Sequence, residues 1–283
     1  MAINLVKAGH AVTGFDTLET ALGRARQAGI ATPATIGAMV AKANCIVTML
    51  PKGAIVLSVL QQVIAAAKPG TMLIDCSTID FSDARKLHSL AVGAGLHCLD
   101  APVSGGVGGA EAGTLTFMAG GSAATFGKAR PILEKMGKRL VHCGDGGAGQ
   151  AAKICNNMLL GISMIGACEA FALAERLGLS QKALFDVVSA SSGSCWSVNA
   201  YCPVPNVGPK SPADNDYKPG FAAALMLKDL SLSQQAADAC GMATPMGLHA
   251  TELYSAFVDT GHANTDFSGM INYLKTLGRQ ANG

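Results

Sequence analysis

Short apolar runs alternate with amphipathic segments along the first half of the chain. Runs typical of β-strands lie at residues 11–15, 45–50, 71–75, 96–99, 114–119 and 139–142. Between them, apolar residues recur with helical spacing at residues 18–28, 36–43, 54–67, 82–94 and 124–136. Strands that alternate with helices form βαβ units with right-handed crossovers. The pattern therefore predicts an α/β domain with a doubly wound, mainly parallel sheet.

The strand pattern stops near residue 150, and helical periodicity continues from there. It predicts a long helix over residues 150–177 and further helices at residues 181–190, 222–240, 245–260 and 267–277. Residues 201–220 are rich in proline and are expected to form an ordered loop. We therefore divide the chain into an α/β domain at residues 1–148 and an all-helical domain at residues 149–283.

Composition and charge narrow the functional classes. The 283 residues are 49% hydrophobic and 14% charged, with a net charge of +2. These values indicate globular domains and exclude a strongly basic nucleic-acid surface. The longest apolar run, residues 158–174, contains Glu169 and two glycines, so a buried helix explains it better than a membrane span.

Cysteine and histidine usage argues against disulfides and metals. The nine cysteines are an odd number without a C-x-x-C pair, which indicates reduced thiols. We expect a reducing compartment: the cytoplasm, or the mitochondrial matrix if the source is eukaryotic. The six histidines form no ligand-type cluster and paired carboxylates are lacking, so no metal is expected.

Residues 99–121 contain seven glycines around a single serine, Ser104. Glycines let the backbone approach a ligand closely, and successive free N–H groups form a concavity for anions. A mobile surface loop is the alternative, but strand-like flanks at both ends favour a loop that is held in place. The stretch therefore predicts a site for a substrate carboxylate.

Residues 144–149 match the dinucleotide pattern G-x-G-x-x-G after a predicted strand and before a helix. That pattern also requires a second strand and an acidic residue about 20 residues later. Glu169 has this spacing but lies inside a helical pattern. We interpret these glycines as a hinge into the helical domain, and a dinucleotide site here as the less favoured alternative.

Asp16, at the end of the first predicted strand, is a better acidic residue for a dinucleotide site. Counting back about 20 residues from it leads to a point before Met1. Residues 1–9 have the pattern of a helix tail closed by Gly9. We therefore expect a first strand and its glycine loop to lie upstream of the given sequence, and the given residues alone to bind a dinucleotide weakly. The alternative is a short leading helix with Asp16 as an ordinary turn residue.

Four blocks of sequence resemble the motifs of one family, in the right order. They are residues 100–106 (DAPVSGG), 149–158 (GQAAKICNNM), 191–196 (SSGSCW) and 228–230 (KDL). They are similar to motifs of the 3-hydroxyisobutyrate dehydrogenases, within the β-hydroxyacid dehydrogenase family, and the resemblance spans essentially the whole chain. It implies a Rossmann-type doubly wound domain that binds NAD, truncated at its N-terminus, followed by an all-α domain. The family's leading strand and G-x-G-x-M-G loop have no counterpart in this sequence.

The resemblance assigns Lys153 as the general acid/base and Asn157 as the residue that orients it by a hydrogen bond. The two residues are four positions apart and share one helix face. A lysine can take a hydroxyl proton if partial burial lowers its pKa towards neutrality, and the apolar neighbours Ile154 and Met158 favour burial. In isolation, a lysine near a helix start is more often solvated.

The resemblance also implies the remaining site residues. Its substrate set is Ser104, Gly105, Gly106 and Lys228, and its cofactor set is Asp16, Leu50, Pro51, Thr78 and Lys228. Because a carboxylate at Asp16 repels a 2′-phosphate, NAD is favoured over NADP. Without the resemblance, Thr78 could equally be a helix cap. Lys228 could equally be a surface lysine, and Asp229 its solvated neighbour.

The implied reaction is NAD-dependent oxidation of 3-hydroxyisobutyrate to methylmalonate semialdehyde, a step of valine catabolism. Reduction of tartronate semialdehyde, succinate semialdehyde or a related short substrate is the enzymatic alternative. A non-catalytic oligomeric remnant is the alternative from another class, because the glycine loop is missing.

Trp196 and Phe221 are expected to close the pocket unless they belong to the core. The apolar helix that follows residue 158 predicts a homodimer or homotetramer.

Overall fold

The computed structural model describes the backbone of residues 1–280 and the side chains as far as Leu277. Its internal contacts divide the chain into two units, Met1–Lys153 and the part from Ile154 onward. The first unit is α/β and the second is helical, as the change of periodicity near residue 150 predicts. One long helix crosses the boundary in sequence.

The first unit alternates helices and strands. In chain order these are α1 (Ala2–Lys7), α2 (Glu19–Gln27), α3 (Ile36–Val40), β1 (Cys45–Thr48), α4 (Gly53–Ala66), β2 (Met72–Asp75), α5 (Phe81–Gly93), β3 (His97–Asp100), β4 (Val103–Ser104), α6 (Gly106–Ala112), β5 (Leu115–Gly120), α7 (Ala123–Leu133) and β6 (Gly137–Gly144). Side-chain caps fix several helix starts: the Asp80 carboxylate accepts the N–H groups of Ser82 and Asp83 ahead of α5.

The sheet is mainly parallel, as predicted, with antiparallel pairings at β4 and between β3 and β5 that make it mixed. β1, β2 and β3 pair in parallel, with Cys45 opposite Met72 and Met72 opposite His97. β5 then pairs antiparallel with both β3 and β4, and in parallel with β6. The direction changes because a short connection through β4 and α6, rather than a long crossover helix, joins β3 to β5.

Two predicted elements of this unit are wrong. Residues 11–15 do not form a strand: Thr13 makes one isolated parallel bridge to Ala31. A strand needs a neighbour along its whole length, and among the described residues this segment has only that single point of pairing. The second error lies in the glycine-rich stretch, where residues expected to form a loop make the helix α6. Its second half, Ala110-Glu-Ala112, consists of good helix formers, and Gly113 ends it in the left-handed conformation.

The apolar faces of the helices pack on both sides of the sheet. One cluster joins α4 and α5 to the sheet and includes Val56, Leu60, Leu73 and Leu87. The other joins α7 to the strands and includes Ile74, Leu99, Phe117 and Leu133. The alternation of Leu73 and Ile74 between the two clusters is the period of two that a strand buried on both faces requires.

The second unit contains helices and irregular connections. Its elements are α8 (Ala148–Arg176, which begins in the first unit), α9 (Gln181–Ala190), α10 (Trp196–Asn199), a 3₁₀-helix (Pro212–Asn215), α11 (Ala223–Cys240), α12 (Pro245–Phe257), a π-helical turn (Val258–His262), a second 3₁₀-helix (Phe267–Gly269) and α13 (Met270–Gln280). α9 matches its predicted bounds, and the proline-rich residues 201–220 form a loop apart from the short 3₁₀-helix.

The helix α8 is long and apolar enough to span a membrane by length and composition, and it is the one such helix among the described residues. In this unit it supplies Met164, Cys168 and Phe171 to a core that also holds Met226 and Tyr254. This packing fits the prediction of a buried core helix.

Candidate active site

Ser104 lies in a two-residue strand that fixes where the glycine-rich stretch begins. β4 pairs with β5 so that Ser104 is opposite Thr116. Gly105 follows with φ +133° and Gly106 with φ +62°, conformations that favour glycine. A Cβ atom at Gly105 would lie 3.1 Å from a methyl carbon of Leu115. The chain therefore turns away from the sheet here, with two exposed glycines directly after the serine.

Lys153 is buried, with only 7% of its surface exposed. Its Nζ donates a hydrogen bond to the backbone carbonyl oxygen of Val103, at 2.9 Å. Val103 is the residue before Ser104, so the structure brings the lysine ammonium and the Ser104 segment together within the first unit. A lysine near a helix start is usually solvated, but Lys153 is buried.

A buried carboxylate holds the start of α8. Asp100, at the end of β3, accepts the backbone N–H groups of Gly147 at 2.7 Å and Gln150 at 2.9 Å. Burial raises the pKa of Asp100, and these two donors oppose that shift. A Cβ atom at Gly149 would lie 2.3 Å from the carbonyl oxygen of Met118. The glycines of residues 144–149 therefore allow close packing against the sheet, and a protein carboxylate binds the N–H groups at the start of this helix.

The Gln150 side chain holds the turn that carries Thr78. Its Nε2 donates to the carbonyl oxygen of Ser77 at 2.7 Å, and its Oε1 accepts the N–H group of Ile79 at 3.2 Å. Both peptide groups that flank Thr78 are thus bound by one buried amide. Thr78 itself is partly exposed at the end of the β2 segment.

A second buried network joins the ends of β1 and β2. Asp75 Oδ1 accepts hydrogen bonds from the hydroxyl groups of Thr48, at 2.7 Å, and Ser77, at 2.6 Å. The Ser77 hydroxyl in turn accepts the N–H group of Leu50 at 2.9 Å. This network places Leu50 and Thr78 at the carboxyl ends of neighbouring parallel strands, where ligands bind in open α/β sheets.

Asp16 and Pro51 lie on the surface of the same unit. Both residues are exposed, and Asp16 Oδ1 accepts the N–H group of Leu18 at 2.8 Å just before α2. The exposed carboxylate is available to hydroxyl donors, as a residue that binds a ribose requires.

In the second unit, Asn157 and Asp229 form a buried pair. Asn157 Nδ2 donates to Asp229 Oδ2 at 2.5 Å, and Asp229 is only 5% exposed. The reading of Asp229 as a solvated neighbour is therefore wrong. The adjacent Lys228 is half-buried, and desolvation lowers its pKa while the Asp229 carboxylate opposes that shift.

Trp196 and Phe221 occupy different surroundings in this unit. Trp196 stacks on Tyr201 with ring centroids 4.8 Å apart and stays half exposed. Phe221 makes an edge contact with the buried ring of Phe267. The Tyr201 hydroxyl donates to Asp266, a buried carboxylate that also accepts backbone N–H groups of the proline-rich loop. Asp266 therefore joins the two ends of the loop, at Tyr201 and Gly220.

Sequence reasoning missed the buried polar residues that support this arrangement, namely Asp75, Ser77, Asp100, Gln150 and Asp229. A signal existed for Asp75 and Asp100, because each ends an apolar run that predicts a strand. Gln150 and Asp229 lie within the quoted motifs, but nothing local indicates their burial, since their partners lie 71 to 73 residues away in the chain. Among residues with described side chains, no group of three or more His, Cys, Asp or Glu could hold a metal ion.

Comparisons with known proteins agree for both parts of the chain. Residues 1–144 match the family described as the NAD binding domain of 6-phosphogluconate dehydrogenase. Residues 147–274 match the family described as NAD-binding of NADP-dependent 3-hydroxyisobutyrate dehydrogenase. The first match begins at residue 1, and the expected upstream strand stays a prediction.

Individual relatives are named as dehydrogenases of 3-hydroxyisobutyrate or of L-serine. A 3-hydroxyisobutyrate dehydrogenase of Pseudomonas aeruginosa is 46% identical over 276 residues, which cover 95% of this chain and 92% of that protein. An NAD-dependent L-serine dehydrogenase of the same organism is 45% identical over 271 residues, covering 95% and 91%. The solved structure of Mycobacterium tuberculosis 3-hydroxyisobutyrate dehydrogenase with L-serine is 50% identical, covers 97% of this chain and 94% of that one, and has a TM-score of 0.94.

Proposed function

Because this chain belongs to the 3-hydroxyisobutyrate dehydrogenase family and is an NAD-dependent hydroxyacid dehydrogenase, we propose that its substrate is 3-hydroxyisobutyrate. The product is methylmalonate semialdehyde, which fits a role in valine catabolism. One observation carries the catalytic part of the proposal: the buried Lys153 ammonium is bound to the carbonyl oxygen of the residue that precedes Ser104.

The proposed proton chemistry uses Lys153 as the base. In its neutral form, the Lys153 amine takes the proton of the substrate hydroxyl as the alcohol carbon becomes an aldehyde carbon. The Val103 carbonyl holds the side chain in a fixed position, which reduces the cost of orienting it. We assign Asn157 as a positioning residue, with its own amide fixed by the Asp229 carboxylate.

The proposed substrate contacts are the Ser104 hydroxyl and the N–H groups of Gly105 and Gly106, which bind the carboxylate of the substrate. Lys228 supplies a positive charge for the same anion and for the cofactor. Hydrogen bonds to a carboxylate are among the stronger ones, because the acceptor is ionised. Trp196 and Phe221 would provide the apolar surface that suits the methyl group of the substrate.

The residues proposed to hold NAD fit that group chemically. Leu50, Pro51 and Thr78 follow the carboxyl ends of β1 and β2, and the exposed Asp16 carboxylate suits the ribose hydroxyls. NAD, when bound, accepts the hydride that leaves the hydroxyl-bearing carbon. The repulsion of a 2′-phosphate by Asp16 supports NAD over NADP.

L-serine is a second candidate substrate, because a relative at 45% identity is named for it and the solved structure of another relative contains it. The two compounds share a carboxylate and a primary hydroxyl, and differ in carrying a methyl or an ammonium group. Steady-state kinetics of the native protein with NAD tests the choice. A kcat/KM for 3-hydroxyisobutyrate at least about tenfold above that for L-serine supports the proposal, since one apolar group gives roughly that discrimination.

The opposite preference would make the protein an L-serine dehydrogenase. Faster reduction of tartronate or succinate semialdehyde with NADH than any oxidation would support the reductase alternative. Absence of turnover with all of these substrates, in protein that is folded, would support a non-catalytic role.

Self-association is part of the proposal. Leu159 and Leu173 lie on one face of α8 and Leu177 directly follows the helix, and each of the three is at least 60% exposed. An exposed apolar stripe of this kind is typical of an interface, so we propose a homodimer or homotetramer. Light scattering on the native protein and on Leu173→Glu tests this: the variant should dissociate, and an unchanged mass would contradict the proposed face.

The free thiols support a reducing compartment, in the cytoplasm or the mitochondrial matrix.

A further inference from the structure

We infer that Gln150 is a positioning residue that holds the Thr78 turn in register with the Lys153 segment of α8. The inference rests on the proposed function, in which Thr78 lies beside the nicotinamide and Lys153 moves the proton. It adds a residue that touches neither substrate nor cofactor, and it concerns groups of the first unit only.

The amide of Gln150 uses both of its polar atoms on the two peptide groups next to Thr78. Nε2 donates to the Ser77 carbonyl at 2.7 Å, and Oε1 accepts the Ile79 N–H at 3.2 Å. Gln150 is fully buried, so neither peptide group can turn to water for a replacement partner. This side chain therefore holds both peptide groups that flank Thr78.

The backbone of Gln150 is fixed as well. Its N–H group binds Asp100 Oδ2 at 2.9 Å, and the same carboxylate binds Gly147 through Oδ1. Gln150 and Lys153 are three residues apart in one helix. A movement of Gln150 therefore moves Lys153 as well. One residue thus links the strand ends that carry Thr78 and Asp100 to the base.

The residue type matters because a primary amide offers one donor and one acceptor at the same distance from the backbone. Methionine has a similar length and suits the buried space, but it leaves the Ser77 carbonyl and the Ile79 N–H without partners. Glutamate keeps the acceptor for Ile79 and loses the donor for Ser77. We call the two hydrogen bonds from the Gln150 amide to the Thr78 turn the clamp. Gln150→Met removes both of these bonds, and Gln150→Glu removes only the one to the Ser77 carbonyl.

The expected effect is on turnover rather than on substrate binding. A misplacement of about 1 Å between reacting groups can lower a rate about 100-fold. For Gln150→Met we expect kcat to fall about 10- to 100-fold with KM for 3-hydroxyisobutyrate changed less than about threefold. The kinetic isotope effect with substrate deuterated at the hydroxyl-bearing carbon should rise, because hydride transfer becomes rate-limiting. The kcat of Gln150→Glu should lie between that of Gln150→Met and that of the parent protein.

A general loss of stability would not produce this result, and Val63→Ala provides the matched control. Val63 is buried in α4 of the same unit, and its apolar side chain makes no hydrogen bond to the Thr78 turn. Its truncation lowers the melting temperature, and kcat measured below the transition should stay at the parent value. If Gln150→Met and Val63→Ala lower the melting temperature alike and neither changes kcat, the positioning role is wrong.

Amide hydrogen exchange gives a readout that does not need turnover. The N–H group of Ile79 should be protected in the parent protein and exchange at least about tenfold faster in Gln150→Met, while Val63→Ala leaves the ratio between Ile79 and the rest of the sheet unchanged. Unchanged protection at Ile79 overturns the inference whatever the kinetics show. Loss of protection in a protein without dehydrogenase activity would support the clamp and refute the proposed function, so the two failures are distinguishable.

Discussion

The Nζ atom of Lys153 donates a hydrogen bond to the carbonyl oxygen of Val103, the residue immediately before Ser104, at 2.9 Å. Two distant motifs of the sequence, the glycine-rich stretch and the start of the long helix, therefore meet at one buried contact. This hydrogen bond fixes the position of a buried amine beside the Ser104 segment.

The first prediction concerns Gly105, whose φ of +133° is strained for any other residue. Gly105→Ala should lower stability by about 1–3 kcal/mol and raise KM for 3-hydroxyisobutyrate, because the N–H groups after Ser104 would move. Thermal denaturation and steady-state kinetics check this. Gly108→Ala is the matched control: Gly108 lies in α6, which starts directly after Gly105, and has open space at its Cβ position, so the variant should leave KM unchanged while stabilising α6 slightly.

The second prediction concerns pH. Burial lowers the pKa of Lys228, so this side chain loses its charge at a lower pH than an ordinary lysine. If its charge binds the substrate carboxylate, affinity should be constant at neutral pH and weaken as the pH rises through the lowered pKa. Binding of 3-hydroxyisobutyrate to the protein with NADH, where no turnover occurs, measures this.

Lys228→Arg separates that effect from the titration of Lys153, because arginine stays charged throughout this range. The alkaline loss of affinity should disappear in Lys228→Arg. An alkaline loss of equal size in both proteins would assign it to another group and contradict the role of Lys228.

The third prediction concerns cofactor choice. Asp16→Ser removes the carboxylate that is proposed to accept from the ribose hydroxyls and to repel a 2′-phosphate. We expect kcat/KM to fall about 10- to 100-fold with NAD and to rise with NADP, since one charge-assisted hydrogen bond is worth roughly 1.5–3 kcal/mol. Glu19→Gln is the control, because Glu19 is an exposed carboxylate nearby in sequence that pairs with Arg26. An unchanged NAD to NADP ratio in Asp16→Ser would place the ribose elsewhere.

The long periodic segments of the fold were predictable from the sequence. α9 follows the predicted bounds, and α4, α5 and α11 start or end within one residue of theirs. Their apolar spacing is local, so no knowledge of partners is needed to recognise it. Residues 11–15 have the same strand-like pattern but form only one bridge, because a strand depends on its neighbours and a helix does not.

The candidate site was predictable only in part. The motifs point to Ser104 and Lys153, and the structure adds the contact between Lys153 and the segment before Ser104. Gln150 and Asp229 were not predictable, because a buried polar side chain is identified by a partner that is distant in the chain. The glycines of residues 144–149 were open to two readings, and the Asp100 carboxylate that binds the neighbouring N–H groups explains them.

The role of Lys153 is tested by the turnover of Lys153→Ala with NAD and 3-hydroxyisobutyrate, compared with the parent protein. Removal of the general base should lower kcat by about 100- to 10,000-fold with the fold intact by circular dichroism and with NADH binding retained. Lys153→Arg, which keeps the charge and cannot act as a base, should be equally slow. Turnover of Lys153→Ala within about threefold of the parent value would show that this buried lysine does not carry the proton chemistry.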